Sequence, residues 1–173
     1  MVVPRAASAI RKLLIGVGVL FLGCGGGPHY DGNAFRSDEL AFRIGPPPAS
    51  WRALESDEAL LAFRDDASRA TIAVNGRCHR DGDDVPLQAL THHLFLQFTD
   101  RELVEREELQ LDDRAALRTE LVARLDGVPK HFTVYVLKKN GCVYDFLHIA
   151  DVHSEGAQRD FRSFVRSFRA VRP

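Results

Sequence analysis

Hydrophobic and polar positions change rhythm several times along the chain, and each rhythm predicts an element. Leu40-Ala41-Phe42-Arg43-Ile44 alternates as a strand does, and Gly45-Pro46-Pro47-Pro48 must end it, because proline cannot donate to a ladder. Two more short strands are predicted over 51–54 and 60–64. A fourth, over 71–78, puts Ile72, Val74 and Cys78 on one face. After the Asp81-Gly82-Asp83-Asp84 turn the period lengthens. Leu87, Leu90, Leu94 and Phe98 are spaced by three, four and four, the apolar stripe of a helix, with Asp84 as its cap and Pro86 in its first turn. Period two returns over 104–111 and 118–125, with Asp112-Asp113 at the turn between them.

The strongest pattern lies between 131 and 150. His131-Phe132-Thr133-Val134-Tyr135-Val136-Leu137 leads through Lys138-Lys139 to Asn140-Gly141, and Cys142-Val143-Tyr144-Asp145-Phe146-Leu147-His148-Ile149 returns. Asn-Gly between two such runs is a hairpin signal. With those two residues as the loop, Lys139 faces Cys142. Val134 then pairs with Leu147 and Phe132 with Ile149 on one face, while Tyr135 pairs with Phe146 and Leu137 with Tyr144 on the other. Both faces are apolar, so cover is expected on both. Ser154 can cap a last helix bearing Ala157, Phe161, Phe164, Val165 and Phe168, with Arg159, Arg162, Arg166 and Arg169 on its solvated side. The expected fold is α+β: a largely antiparallel β-sheet sandwiched between helices, an α/β/α sandwich.

The first residues follow a different logic. Arg5, Arg11 and Lys12 precede the uncharged run Leu13–Leu22, which is too short to span a bilayer, and Gly23-Cys24-Gly25-Gly26-Gly27-Pro28 follows. Phe21-Leu22-Gly23-Cys24 resembles the bacterial lipobox. Gly23 and Cys24 match it; Phe21 and Leu22 are bulkier than the usual residues. The resemblance implies a lipoprotein signal peptide over 1–23, cleavage before Cys24, and palmitate-type acylation there that ties the chain to a membrane. Gly25 rather than Asp after Cys24 implies, by enterobacterial sorting, the outer membrane facing the periplasm. Residues 24–38 read as a flexible tether and 39–173 as one domain.

Composition changes the picture once the signal is set aside. The chain has 173 residues, 23 Lys+Arg and 24 Asp+Glu, a formal charge of −1. Loss of 1–23 leaves 20 basic against 24 acidic residues, or −4. That balance argues against nucleic acid as a partner and against adhesion to anionic lipid by charge. Of three cysteines, Cys24 is taken by the anchor. Cys78 and Cys142 remain as a candidate disulfide or as two free thiols, one of which would then be a candidate nucleophile.

Little else points to chemistry. Seven histidines show no HExxH or CxxC spacing, and His92-His93 diverge on a helix. His148 faces Thr133 in the hairpin register and lies diagonal to His131, so both can reach one ligand. No GxSxG, SxxK or P-loop is present. Glu105, Glu107 and Glu108 around Arg106 suit a charged edge strand. No metal, cofactor or catalytic residue is expected.

Three segments together carry a resemblance: Phe42-Arg43-Ile44 with Pro46-Pro47-Pro48 and Ser50-Trp51; the middle helix before four strands ending in Asn140-Gly141 and Tyr144; and Phe161-Arg162-Ser163-Phe164-Val165-Arg166-Ser167-Phe168. They resemble the PsbP-like fold, shared with DcrB-type bacterial lipoproteins and a Ran-binding import factor, over about residues 38–172. It implies a non-enzymatic binding or accessory protein of the cell envelope, with an envelope protein as partner. The alternative is a carrier of a small apolar ligand or lipid, in a sheet–helix pocket lined by Tyr135, Tyr144 and Phe146.

Overall fold

The computed structural model describes residues 27–80 and 84–172. In chain order the elements are β1 (His29–Tyr30), β2 (Ala34–Arg36), β3 (Ala41–Arg43), β4 (Arg52–Leu54), β5 (Leu61–Asp65), β6 (Ala70–Cys78), α1 (Leu87–Leu94), β7 (Thr99–Leu111), β8 (Arg114–Leu125), β9 (Val128–Lys139), β10 (Cys142–Ala150), α2 (Glu155–Arg166) and β11 (Arg169–Val171). They build two antiparallel sheets. The larger has the order β4-β5-β6-β10-β9-β8-β7, the smaller β1-β2-β3-β11.

The β9–β10 hairpin forms the centre of the larger sheet. Asn140 and Gly141 both have positive φ, as a two-residue turn of this kind requires. Cys142 faces Lys139, Val134 faces Leu147, Phe132 faces Ile149, Tyr135 faces Phe146 and Leu137 faces Tyr144. Both faces of the hairpin are buried. On one, Phe132, Val134, Val136 and Val143 join Leu90 of α1. On the other, Tyr135, Tyr144 and Phe146 join Phe161, Phe164 and Val165 of α2 together with Phe35 and Phe42 of the smaller sheet.

The expected sandwich is met in part. Among the described residues the fold is mostly antiparallel sheet with two short helices, and the second sheet shares one face of the larger sheet with α2. Phe42 meets the Tyr144 ring edge-on at 6.1 Å. A Cβ on Gly76 would stand 3.0 Å from Leu40 and 3.3 Å from Tyr144, so the bare glycine backbone permits the close approach. Part of the stretch expected to be a tether is therefore built into the domain. His29–Tyr30 and Ala34–Arg36 are strands, and Phe35 is buried, stacked on Phe42 with centroids 5.1 Å apart. Pairing with β3 overrides the polar, glycine-rich local composition, which by itself reads as loop.

The helix ends also depart from expectation. Asp84 does not cap α1. Pro86, at φ −64° and ψ 147°, occupies the cap position, and its carbonyl accepts from the N–H groups of Ala89 and Leu90. The helix stops at Leu94, before Phe98. Phe95 and Phe98 instead turn their rings onto Phe132 at 5.3 and 5.0 Å, an aromatic cluster that wins over continued helical period. Ser154 does cap α2, its hydroxyl accepting from the Ala157 N–H. Phe168 lies past the end of α2 yet is fully buried, packed on Tyr144 and Phe146. Arg169 consequently belongs to β11 rather than to the helix.

Candidate functional site

Residues 1–23, Cys24 and the Asp81-Gly82-Asp83 turn lie outside the described residues. Among the described residues no helix is long and apolar enough to cross a membrane.

Cys78 and Cys142 are bridged, with a sulfur–sulfur distance of 2.02 Å. Their strands β6 and β10 bring the two residues directly opposite each other. The bridge joins positions 64 apart in sequence, a loop for which chain entropy predicts about 4 kcal/mol of stabilisation. With both sulfurs joined, neither is a free nucleophile.

Tyr135, Tyr144 and Phe146 face the same side of the larger sheet. Tyr135 lies edge-on to Phe161 at 5.7 Å, Tyr144 and Phe146 sit 4.9 and 5.0 Å from Phe168, and Phe42 closes over Tyr144. Rings thus occupy the space between sheet and helix there.

His148, also on this side, is fully buried. Its ring leans on Phe161 at 5.3 Å and on Trp51 at 6.1 Å. Gln158 Nε2 lies 3.4 Å from His148 Nδ1, and Gln158 Oε1 accepts from Thr133 Oγ1 at 3.0 Å. Burial, and secondarily the nearby His153, push the imidazole down to about 4, so it is neutral at physiological pH. His131 meets His153, with ring centroids 6.2 Å apart, and lines a cleft with Thr133 and Gln158. No three His, Cys, Asp or Glu side chains among the described residues are grouped to hold a metal ion.

The open part of this face lies beyond α2, over β7 and β8. Period two in these strands aims Glu105, Glu107, Arg118 and Glu120 the same way as Tyr135. Arg118 is only 7% exposed. It donates to Glu105 at 2.6 Å and to Glu120, and it lies 3.8 Å from Glu107. Burial alone lowers the affinity of a guanidinium for its proton, but hydrogen bonding to Glu105 and the charge of Glu120 raise it overall. Arg162 and Arg166 of α2 form the opposite wall of a cleft of about 330 Å³. A second cleft of about 290 Å³ continues along the helix past Gln158, lined by His131, His153, Glu120 and Val104. The first of them is a trough, cationic on the helix side through Arg162 and Arg166 and anionic on the strand side through Glu105 and Glu107.

β7 is the free edge of the larger sheet and is exposed almost throughout. Leu103 is 51% exposed and Val104 61% exposed. The acidic row around Arg106 does lie on an edge strand, but Glu105 and Glu107 also hold Arg118. Sequence reasoning missed Arg118. The available signal was its period-two alignment with Glu120 and, across the sheet, with Tyr135. It also missed Asp112, whose carboxylate receives Lys139 Nζ at 2.8 Å and the Ala170 N–H at 2.8 Å. That residue ties the β7–β8 turn to both the central hairpin and β11.

No protein-family model matches the chain, and no curated protein matches it either. Solved structures do. Cyanobacterial PsbP (CyanoP) from Synechocystis sp. PCC 6803 superposes with a TM-score of 0.54 at 15% identity, over 91% of this chain and 99% of that one. LpqN of Mycobacterium tuberculosis, described as involved in cell envelope biogenesis, gives a TM-score of 0.52 at 16% identity, over 85% and 90% of the two chains. A Bacteroides thetaiotaomicron VPI-5482 protein gives 0.52 at 9% identity over 83% of this chain and 50% of its own. The fold is therefore PsbP-like. These likenesses define the architecture; function has to be argued from the surface.

Proposed function

We propose that this protein is a lipid-anchored accessory protein of the bacterial cell envelope. It is acylated at Cys24 in the outer membrane, faces the periplasm, and binds a partner protein through the open end of its larger sheet. The observation that carries the reading is the trough beside the exposed edge strand β7. Its buried guanidinium is already neutralised by carboxylates, Arg118 by Glu105 and Glu120, an arrangement suited to recognition rather than to proton transfer. The fully buried histidine, His148, is sealed beneath α2. Val104 adds exposed apolar area beside the charges, and an edge strand offers backbone groups to a partner strand. The lipobox-like start supports the anchor, which confines the domain near a membrane-bound partner and raises its effective concentration there. The fold shared with LpqN, described as an envelope-biogenesis protein, agrees with that location.

Two measurements test the reading. Palmitate should label the wild-type chain and not Cys24→Ala; equal labelling removes the anchor. A photo-crosslinking side chain at Val104 should give one dominant partner adduct in intact envelopes, while the same group at exposed Glu55 gives none. Adducts of equal yield from both positions would show no preference for this edge.

A further inference from the structure

The opposite face of β7 and β8 carries a second feature that the proposed partner surface does not use. There α1 leaves a cleft of about 260 Å³ against the sheet, and its lining departs from the composition of the domain. Three basic side chains, His92 of α1 with Arg101 and Arg106 of β7, meet there with no acidic one among the described residues, although the chain beyond residue 23 is net acidic. Phe95, Leu103 and Leu121 supply apolar walls. Arg101 is held in place by donating to the Phe95 carbonyl at 3.1 Å. Thr119 lies directly across the strand pair from Arg106. It is 1% exposed, lines the cleft, and its hydroxyl has no hydrogen-bond partner among the described residues. A buried hydroxyl left unpaired is unfavourable, and valine would fill the same space without that penalty. The hydroxyl is explained if it serves a ligand.

We propose that this cleft binds a small organic carboxylate with an apolar body. The planar guanidinium of Arg106 suits a carboxylate. Thr119 Oγ1 donates to the same ligand, and Phe95, Leu103 and Leu121 pack its hydrocarbon part. The volume falls near the lower limit of small-molecule sites, about 300 Å³, which favours an aromatic or short branched acid over a long acyl chain. The site does not depend on the anchor at Cys24 or on the partner surface.

The test is ligand-observed fluorine NMR with 4-fluorobenzoate, using the full chain in lipid nanodiscs and empty nanodiscs as the blank. Saturable line broadening is expected. 4-Fluorobenzyl alcohol, which lacks the charge, should not saturate, and inorganic phosphate, which lacks the apolar body, should not displace the acid. Arg106→Gln should weaken binding about tenfold and Thr119→Val about fivefold. Thr119→Val should also melt at the same or a higher temperature than wild type, which separates lost recognition from lost folding. Arg80→Gln, on the exposed surface elsewhere, should bind as wild type does. The proposal is overturned if no saturable broadening exceeds the blank, or if both cleft variants bind as wild type. It is equally overturned if the alcohol binds as tightly as the acid, or if phosphate displaces it at equal concentration.

Discussion

The two ends of the larger sheet are built on opposite terms. At the β5-β6-β10 end, one face is closed by α2 and the smaller sheet, aromatic rings interlock across the layers, and a disulfide joins adjacent strands. On the same face at the β7-β8 end the sheet extends past its cover, and charge replaces apolar contact as the means of ordering side chains. The difference separates two requirements within one sheet. Buried rings stabilise the domain but leave nothing accessible to a partner, whereas an edge strand bearing charges remains soluble and available.

This contrast can be broken by substitution, most severely at the packed end. Phe161→Ala removes a ring that touches both Tyr135 and His148, and should cost about 4 kcal/mol in urea unfolding; a loss below about 1 kcal/mol would mean that α2 is not the main cover. Replacing Cys78 and Cys142 together by alanine should cost a similar or slightly smaller amount, about 3–4 kcal/mol. Reduction of the wild type should reproduce it.

Acid should act through the same end. His148 titrates near 4 in the folded chain and near 6.5 when unfolded, so between these values the unfolded chain binds the extra proton. Stability is therefore fully retained above about 6.5 and is lost as pH falls toward 4, by about 3 kcal/mol in all. His148→Leu should flatten that part of the pH profile. An unchanged slope would show that His148 is not the group responsible.

Effects at the open end should be smaller. Arg118→Met separates Glu105, Glu107 and Glu120 from their shared cation and should cost about 1–2 kcal/mol, reduced because Glu105 and Glu107 are more than half exposed. Leu103→Ser should change stability by less than about 0.5 kcal/mol. If Leu103→Ser proved as costly as Phe161→Ala, the division between a stabilising end and a recognising end would fail.

Local order was legible in the chain to the extent that neighbours in sequence decide it. The Asn140-Gly141 turn sets the hairpin register pair by pair, because a two-residue turn leaves the flanking strands one alignment. Ser154 caps α2 for a similarly local reason, its hydroxyl lying within reach of an N–H three residues on. Asp84 looked equally suitable for α1, yet Pro86 takes the cap position because its fixed φ and extended ψ hold the backbone out of the helix for one more residue. Phe98 and Phe168 carry the right spacing for helical faces, but both are drawn into aromatic clusters beyond the helix ends.

The amino-acid order alone was sufficient for the central hairpin, the two amphipathic helices and the pairing potential of the two cysteines in the domain. The smaller sheet needed the whole molecule. Its β3 pairs with β11 at the far end of the chain, and Gly45 donates to Ser167, 122 positions away. The buried guanidinium of Arg118, the neutral His148 and the cationic cleft at Thr119 are likewise products of assembly. A side chain's period marks which face it takes, but its burial, charge state and partners depend on what distant segments bring against that face.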